Sequence, residues 1–368
     1  MKRPGFIVIF LFLLSISTFT ALAQQDTRIS VLPDFSVCAY VAGQPTSQAC
    51  LDLMASYPEP DFERVPEDRS TLGSYSFWRV GPETVAKFDA PNGNVIGEIP
   101  AGFNFVNVVD ESVADWLQIQ GGEWIQRTTA KYVEPSYFTG VLLPEGWNHP
   151  FAWVLDLTGI YASLTPGGPS VAESGYLTRR YDMVNIYAEA YDAEGWRWYM
   201  IGPNQWLKQT FVAKIQPAPM PENVGGNWVA VDLYEQTLIA YEDDKPVFAT
   251  LISSGLDRTE TNEGLFTIWA KLPADRMSGA AGAPNAYDLQ TVPWTMYFDG
   301  SISLHGTYWH DLFGYRRSRG CVNLSISDAR WVYDWSTQTS SEDPNVSVVN
   351  YVYVFSSGVY GEPPNAQA

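Results

Sequence analysis

Cys321, with a histidine sixteen residues before it, is the combination in this sequence best suited to covalent chemistry. The 368-residue chain holds only three histidines and three cysteines. Two of the histidines lie in Ser301-Ile-Ser-Leu-His305-Gly-Thr-Tyr-Trp-His310, which leads through a Gly- and Arg-containing loop into Ser318-Arg-Gly-Cys-Val-Asn323. A thiol is a strong nucleophile only as thiolate, and it needs an imidazole to take its proton or cations to lower its pKa. His305 supplies the imidazole, and Arg316, Arg317 and Arg319 supply positive charge. The N–H groups of Gly320 and Cys321, freed by a turn, suit the oxyanion of a tetrahedral intermediate; losing such a donor costs about 3 to 4 kcal/mol of barrier. The chemistry implied is acyl transfer through a thioester.

These residues need elements to hold them. Ile302 and Leu304 alternate with polar positions, which predicts a strand ending at His305. Gly320 predicts a tight turn, since glycine tolerates backbone angles closed to other residues. Ser325-Ile-Ser-Asp328 has the form of a capping box opening an amphipathic helix, Ala329 to Trp335. Further upstream, Trp228-Val-Ala-Val-Asp-Leu, Thr237-Leu-Ile-Ala-Tyr and the run Lys245 to Gly255 read as antiparallel strands joined by short polar turns. Pro217 to Gly226 is too rich in Pro and Gly to lie inside an element and reads as a linker. A domain is therefore expected over 227–357, with a tail at 358–368.

At these residues the sequence resembles the L,D-transpeptidase catalytic domain, the YkuD family. The family pattern is a His-Gly or His-Ser pair, a gap of roughly fifteen residues, and S-[HR]-G-C-[ILV]-[RN]. His305-Gly306 and Ser318 to Asn323 supply it, and Gly255 and a turn at Thr261-Asn-Glu-Gly264 follow the family order, so the resemblance covers about 227 to 356. It implies a β-sandwich catalytic domain with a short helix after the cysteine, Cys321 as nucleophile and His305 as general base. It further implies that the Gly306 carbonyl orients the imidazole and that Gly320 and Cys321 form the oxyanion hole. Arg319, Trp309, Asn323, Tyr308 and Ser318 fall at or beside positions that border the substrate. The reaction implied is release of a terminal D-residue from a peptidoglycan tetrapeptide and transfer of the acyl group to an amine on a second stem, with no cofactor or metal. Arg319 stands where many members have a second histidine, and Asn262 replaces the usual proline of the turn.

The chain before the linker carries an internal repeat. Trp116, Trp124 and Pro135 recur as Trp198, Trp206 and Pro217, offset by 82 residues, with Glu123-Trp-Ile-Gln-Arg matching Gln205-Trp-Leu-Lys-Gln. Short apolar segments alternate with Gly, Asn, Asp and Pro turns, a spacing suited to small half-open barrels. Both copies, 76–136 and 150–216, resemble bacterial SH3-like domains, which implies recognition of wall glycans or peptides; the plainer reading is that the tryptophans fill small cores. The whole chain is expected to be mainly β.

Residues 1–23 have a basic start, an apolar run from Phe6 to Leu14 and a small-residue exit, Ala21-Leu-Ala23, the pattern of a secretory signal peptide. The mature protein is then expected outside the cytoplasm, free of the membrane, secreted or wall-associated. A cap and linker at 24–75 hold Cys38 and Cys50, close enough to pair in an oxidising compartment and leave Cys321 as the odd thiol. A net charge of −19 excludes the phosphate-neutralising surface that nucleic acid requires. Rival readings remain: a carboxypeptidase with water as acceptor, a wall-binding protein without activity, or zinc on His305, His310 and Cys321, a set lacking a fourth ligand. His310 and His149 are read as structural.

Overall fold

The strand Asn227–Asp232 buries every one of its residues, because the sheet that contains it is covered on both faces. In this computed structural model, which describes residues 35–280, 282–283, 285–336 and 350–360, that sheet has six strands. Their order is Gly264–Thr267, Tyr351–Phe355, Asn227–Asp232, Thr237–Glu242, Lys245–Leu251 and Val141–Leu142. On one face Val229, Val231, Leu238 and Phe248 meet Met296, Leu304, Val322 and Val332. On the other, Trp228, Ala230 and Leu251 meet Phe151, Trp153 and Ile215 of the second repeat. Burial on two faces favours unbroken apolar runs over alternation. The expected signal peptide and residues 361–368 of the tail lie outside the described residues.

The layer that carries His305 is built on a long hairpin, Ala270–Gly279 with Tyr287–Asp299. Its second strand pairs antiparallel with Ile302–Gly306, which pairs parallel with Val322–Leu324. Thr291 and Trp294 sit in that second strand with φ of 55° and 56°, the left-handed region that β-branched and bulky residues avoid. Thr291 coincides with a shift in the hairpin register between Asp275 and Met277, as a bulge that bends a strand does. The Trp294 indole donates to Asp68 at 3.0 Å, fixing this stretch of the strand from outside the hairpin.

The helix Ile326–Trp335 follows the cysteine strand at once, and the Ser325 hydroxyl accepts the Asp328 N–H at 3.1 Å. Only half of the expected capping box forms. The Asp328 carboxylate instead accepts the Gly140 N–H at 2.8 Å and the Thr250 hydroxyl at 2.6 Å, tying the helix start to the six-stranded sheet.

Local structure recurs where the sequence does. The 3-10 turns Arg127–Thr129 and Gln209–Phe211 each follow a Trp-bearing strand and precede Ala130–Tyr132 and Val212–Ile215. Phe77–Val80 pairs with Phe103–Asp110 and Ala130–Tyr132; Phe151–Val154 pairs likewise with Met183–Asn185 and Val212–Ile215. Trp116, Trp198 and Trp206 are buried, but Trp198 and Trp206 cluster with the Cys38–Cys50 segment rather than inside the apolar core of their own repeat. The strand Phe103–Asp110 also runs parallel to Tyr287–Asp299, so the first repeat shares a sheet with the hairpin.

Cys38 and Cys50 are joined by a disulfide, and the segment they staple packs on Trp198, Met200 and Trp206. His149 stacks on Tyr57 at 4.5 Å and meets Phe35 edge-on at 4.9 Å, so it joins that segment to the body as an aromatic ring. Among the described residues no helix is long and apolar enough to cross a membrane.

Candidate active site

Parallel pairing aligns Leu304 with Val322 and His305 with Asn323. Because side chains alternate faces along a strand, Ser303, His305, Cys321 and Asn323 share one face. His305, Cys321, Asn323, Ser318, Arg319 and Trp309 line one pocket of about 90 Å³, with Phe103, Met277, Tyr287, Leu289 and Arg317 completing its walls. The sequence reading brought the first six together; it missed the apolar walls. A larger hollow of about 760 Å³ beside the disulfide contains no histidine, charged side chain or free thiol.

The imidazole is held from behind. His305 Nδ1–H donates to the Gly306 carbonyl at 3.1 Å, which leaves Nε2 as the basic nitrogen of the neutral ring. That nitrogen has no hydrogen-bond partner among the described residues. Gly306 is confined: an added Cβ would come within 2.9 Å of Pro293 Cγ and 3.2 Å of Ile326 Cα. Trp309 flanks the imidazole, ring centroids 5.6 Å apart. Burial of His305 pushes its pKa down to about 4, so the ring is neutral near pH 7.

Cys321 is the free thiol, half-buried, with Ser303 Oγ 3.7 Å from its sulfur and the Ser301 carbonyl at 4.0 Å. Burial pushes the thiol above its ordinary value, and the Ser303 backbone and hydroxyl pull it partly back. The arginines do not offset this burial as expected. Arg316 lies over Tyr360 at 4.6 Å and Arg319 over Tyr287 at 4.9 Å, the latter also donating to the Asn285 carbonyl. The resting pair is thus thiol and neutral imidazole. Ser303 was legible: it stands two positions before His305, where alternation returns to the same face.

The turn before the cysteine is braced on several sides. Gly320 adopts φ of +112°, a conformation that favours glycine. Its N–H is engaged by Ser318 Oγ at 3.2 Å, contrary to the expectation of two free amides, while the Cys321 N–H donates to no described residue. The Ser318 hydroxyl donates in turn to the Cys321 carbonyl at 2.5 Å. Ser253 and Asn323 exchange backbone hydrogen bonds of 2.9 Å, and Leu256 N–H reaches the Ser318 carbonyl at 2.9 Å. Gly255 fits there because an added Cβ would lie 2.2 Å from the Thr259 carbonyl.

Tyr308 does not border the pocket. It is fully buried, stacked on Phe77 at 3.8 Å, with its hydroxyl donating to the Gln290 carbonyl at 2.6 Å. His310 also stands back. Its Nδ1 accepts the Leu312 N–H at 3.2 Å, so a neutral ring carries its proton on Nε2, 3.0 Å from the Asn323 carboxamide; the carboxamide oxygen suits that position. His310 thereby orients Asn323. Burial, with Arg317 nearby, lowers its pKa to about 3. Among the described residues no group of three or more His, Cys, Asp or Glu side chains could hold a metal.

Residues 226–349 match the YkuD family, described as the L,D-transpeptidase catalytic domain. The match spans about a third of the chain. Similar solved structures include an L,D-transpeptidase from Stackebrandtia nassauensis, at 28% identity over 40% of this chain and 60% of that one, TM-score 0.29. An Enterococcus faecium L,D-transpeptidase mutant is 23% identical over 39% of this chain and 55% of its own, TM-score 0.31. An L,D-transpeptidase from Mycobacterium smegmatis is 22% identical over 45% and 80%, TM-score 0.31. The chain therefore spans less than two thirds of the first two structures. No curated protein matches it.

Proposed function

We propose that this chain is a peptidoglycan L,D-transpeptidase acting outside the cytoplasm, with Cys321 as nucleophile and His305 as general base. One observation carries the reading: His305, its Nδ1–H fixed on Gly306, lines the same small pocket as the free thiol of Cys321. The family match over 226–349 supports the substrate class, and the Cys38–Cys50 disulfide fits an oxidising compartment.

Both groups rest neutral, so the proton moves as the bond forms. His305 Nε2 takes the Sγ proton while the sulfur attacks the carbonyl carbon before the terminal D-residue, and the carbonyl oxygen becomes the oxyanion. The Cys321 N–H is the donor available to that oxygen, and the Gly320 N–H joins it only if it leaves Ser318. The intermediate collapses, the D-residue departs with the proton from Nε2, and a thioester remains. An acceptor amine then attacks the thioester and gives its proton to Nε2; the new amide forms and the sulfur leaves, regaining that proton.

Incubation of the protein with a tetrapeptide donor, with and without an amine-bearing second stem, tests the assignment through the masses of the products. A cross-linked product requiring both stems is expected. Loss of the terminal residue without joining, even at high amine concentration, would make water the acceptor and the protein a carboxypeptidase.

A further inference from the structure

We propose that Arg79 and Phe103 of the first repeat form a carboxylate-binding arm of the Cys321 cleft. The inference rests on the transpeptidase reading for its substrate class. Phe103 faces two spaces at once. It lines the pocket of Cys321 and His305, and it lines an adjoining hollow of about 600 Å³ walled by Arg79, Pro82, Pro100, Gly282 and Ala283. The pocket at the thiol is small, so the rest of a peptide needs the second space.

Charge singles out what belongs there. The chain carries 41 acidic against 22 basic side chains, yet Arg79 is exposed and has no carboxylate partner among the described residues. Its guanidinium lies 5.6 Å from the Phe103 ring centre, a stacking that steadies the planar fork and leaves its N–H groups available. Arg317 and Arg319, on the thiol side of Phe103, also lack a carboxylate partner among the described residues. In so acidic a protein, cations left unpaired along one cleft suit an anion brought from outside, and a planar guanidinium matches a carboxylate.

The position of the arm is fixed by backbone. Phe103 pairs with Tyr287 and Phe105 with Leu289 in a parallel ladder, and the Phe103 N–H donates to the Ala286 carbonyl at 2.9 Å. Gly102 passes so close that an added Cβ would lie 2.7 Å from the Ala286 oxygen. The first repeat thus reads the substrate as a wall of the site. Donor and acceptor stems both carry free carboxylates, and the test separates them.

Calorimetry on Cys321→Ala protein measures the affinity of each stem without turnover, so failure of the arm and failure of the reaction are distinguishable. Arg79→Gln in that background is expected to weaken one stem about threefold to fivefold, the size of an exposed ion pair. Arg79→Lys, which keeps the charge but loses the planar fork stacked on Phe103, should recover only part of the affinity, and about 0.5 M salt should shrink the difference. Converting the non-terminal carboxylate of that stem to a carboxamide should reproduce the loss on Arg79-bearing protein and add none to Arg79→Gln. A loss confined to the donor or to the acceptor identifies the source. Unchanged affinity for both stems, after either the substitution or the amidation, overturns the proposal; the amidation arm needs no variant to fold.

Discussion

The hydroxyl of Thr261 donates to the Gly320 carbonyl at 2.7 Å while accepting the Gly255 N–H at 3.0 Å. One buried oxygen therefore ties the turn before Cys321 to Gly255, in the segment after Lys245–Leu251 that bridges to Ser318. Thr261→Val preserves the shape and strands both partners, and each buried group left unpaired costs about 1–3 kcal/mol. A lower denaturation midpoint and a reduced acylation rate are expected. Wild-type values for both would show that the turn holds without this brace.

Ser303 acts on the sulfur itself. Its hydroxyl, 3.7 Å from Cys321 Sγ, opposes the upward push of burial. Ser303→Ala removes that opposition, so the thiol pKa should rise further. The pH midpoint of alkylation by iodoacetamide is expected to move upward and the rate near neutrality to fall; a midpoint that stays or drops refutes the contact.

The acid limb of kcat/KM should report His305. The active form is the neutral imidazole, and burial lowers its pKa to about 4. Activity is therefore expected to persist through pH 5 and to fall only near 4. A limb near the ordinary histidine value of about 6.5 would mean that the ring is solvated when it works.

Burial of His149 gives a stability signature of known sign. Its folded pKa, about 4, lies below the ordinary 6.5, so the unfolded chain takes up a proton that the native state refuses. Its contribution is complete above 6.5 and is lost as pH falls toward 4, by up to about 1.4 kcal/mol per pH unit. Asp328, raised to about 6 by burial, has the opposite sign: its contribution is lost as pH rises through that value. His149→Phe should lessen the acid loss relative to wild type in denaturant titrations at pH 4 to 7. An identical loss in both proteins would contradict the burial.

Tyr308 and Trp309, adjacent in sequence, should fail differently. Tyr308 is a core residue stacked on Phe77, and Tyr308→Ala is expected to cost about 3–5 kcal/mol of stability, as large aromatic truncations do. Trp309 lines the pocket beside His305, so Trp309→Ala should raise KM for the donor with a smaller loss of stability. Chemical denaturation and donor kinetics on the two variants separate these roles.

Tyr308 and Trp309 stand at the limit of what was readable in the sequence. His305 and Cys321 were legible because local signals bracket them: alternation from Ile302 to Leu304 on one side, and Ser318-Arg-Gly before the cysteine on the other. The mainly β architecture was legible in the apolar runs, and the family resemblance over about 227 to 356 agrees with the match at 226–349. Alternation could not tell Tyr308 from Trp309, since the strand ends at Gly306 and the chain then leaves the two-residue period. Phe103 carried no signal at all. It reaches the site only through pairing with Tyr287, 184 residues later in the chain, and such pairing leaves no local trace. The arginines misled for a related reason: their spacing predicts proximity, whereas Tyr287 and Tyr360 decide where two of them lie.

Everything chemical in this account passes through one sulfur, and intact mass of the protein after brief exposure to a tetrapeptide donor interrogates it directly. The prediction is an added mass equal to the donor less its terminal residue as the free amino acid, located on the peptide containing Cys321 and missing from Cys321→Ser. The same adduct in the serine variant at another residue, or no adduct on folded wild-type protein under conditions where donor binding is saturated, would contradict it.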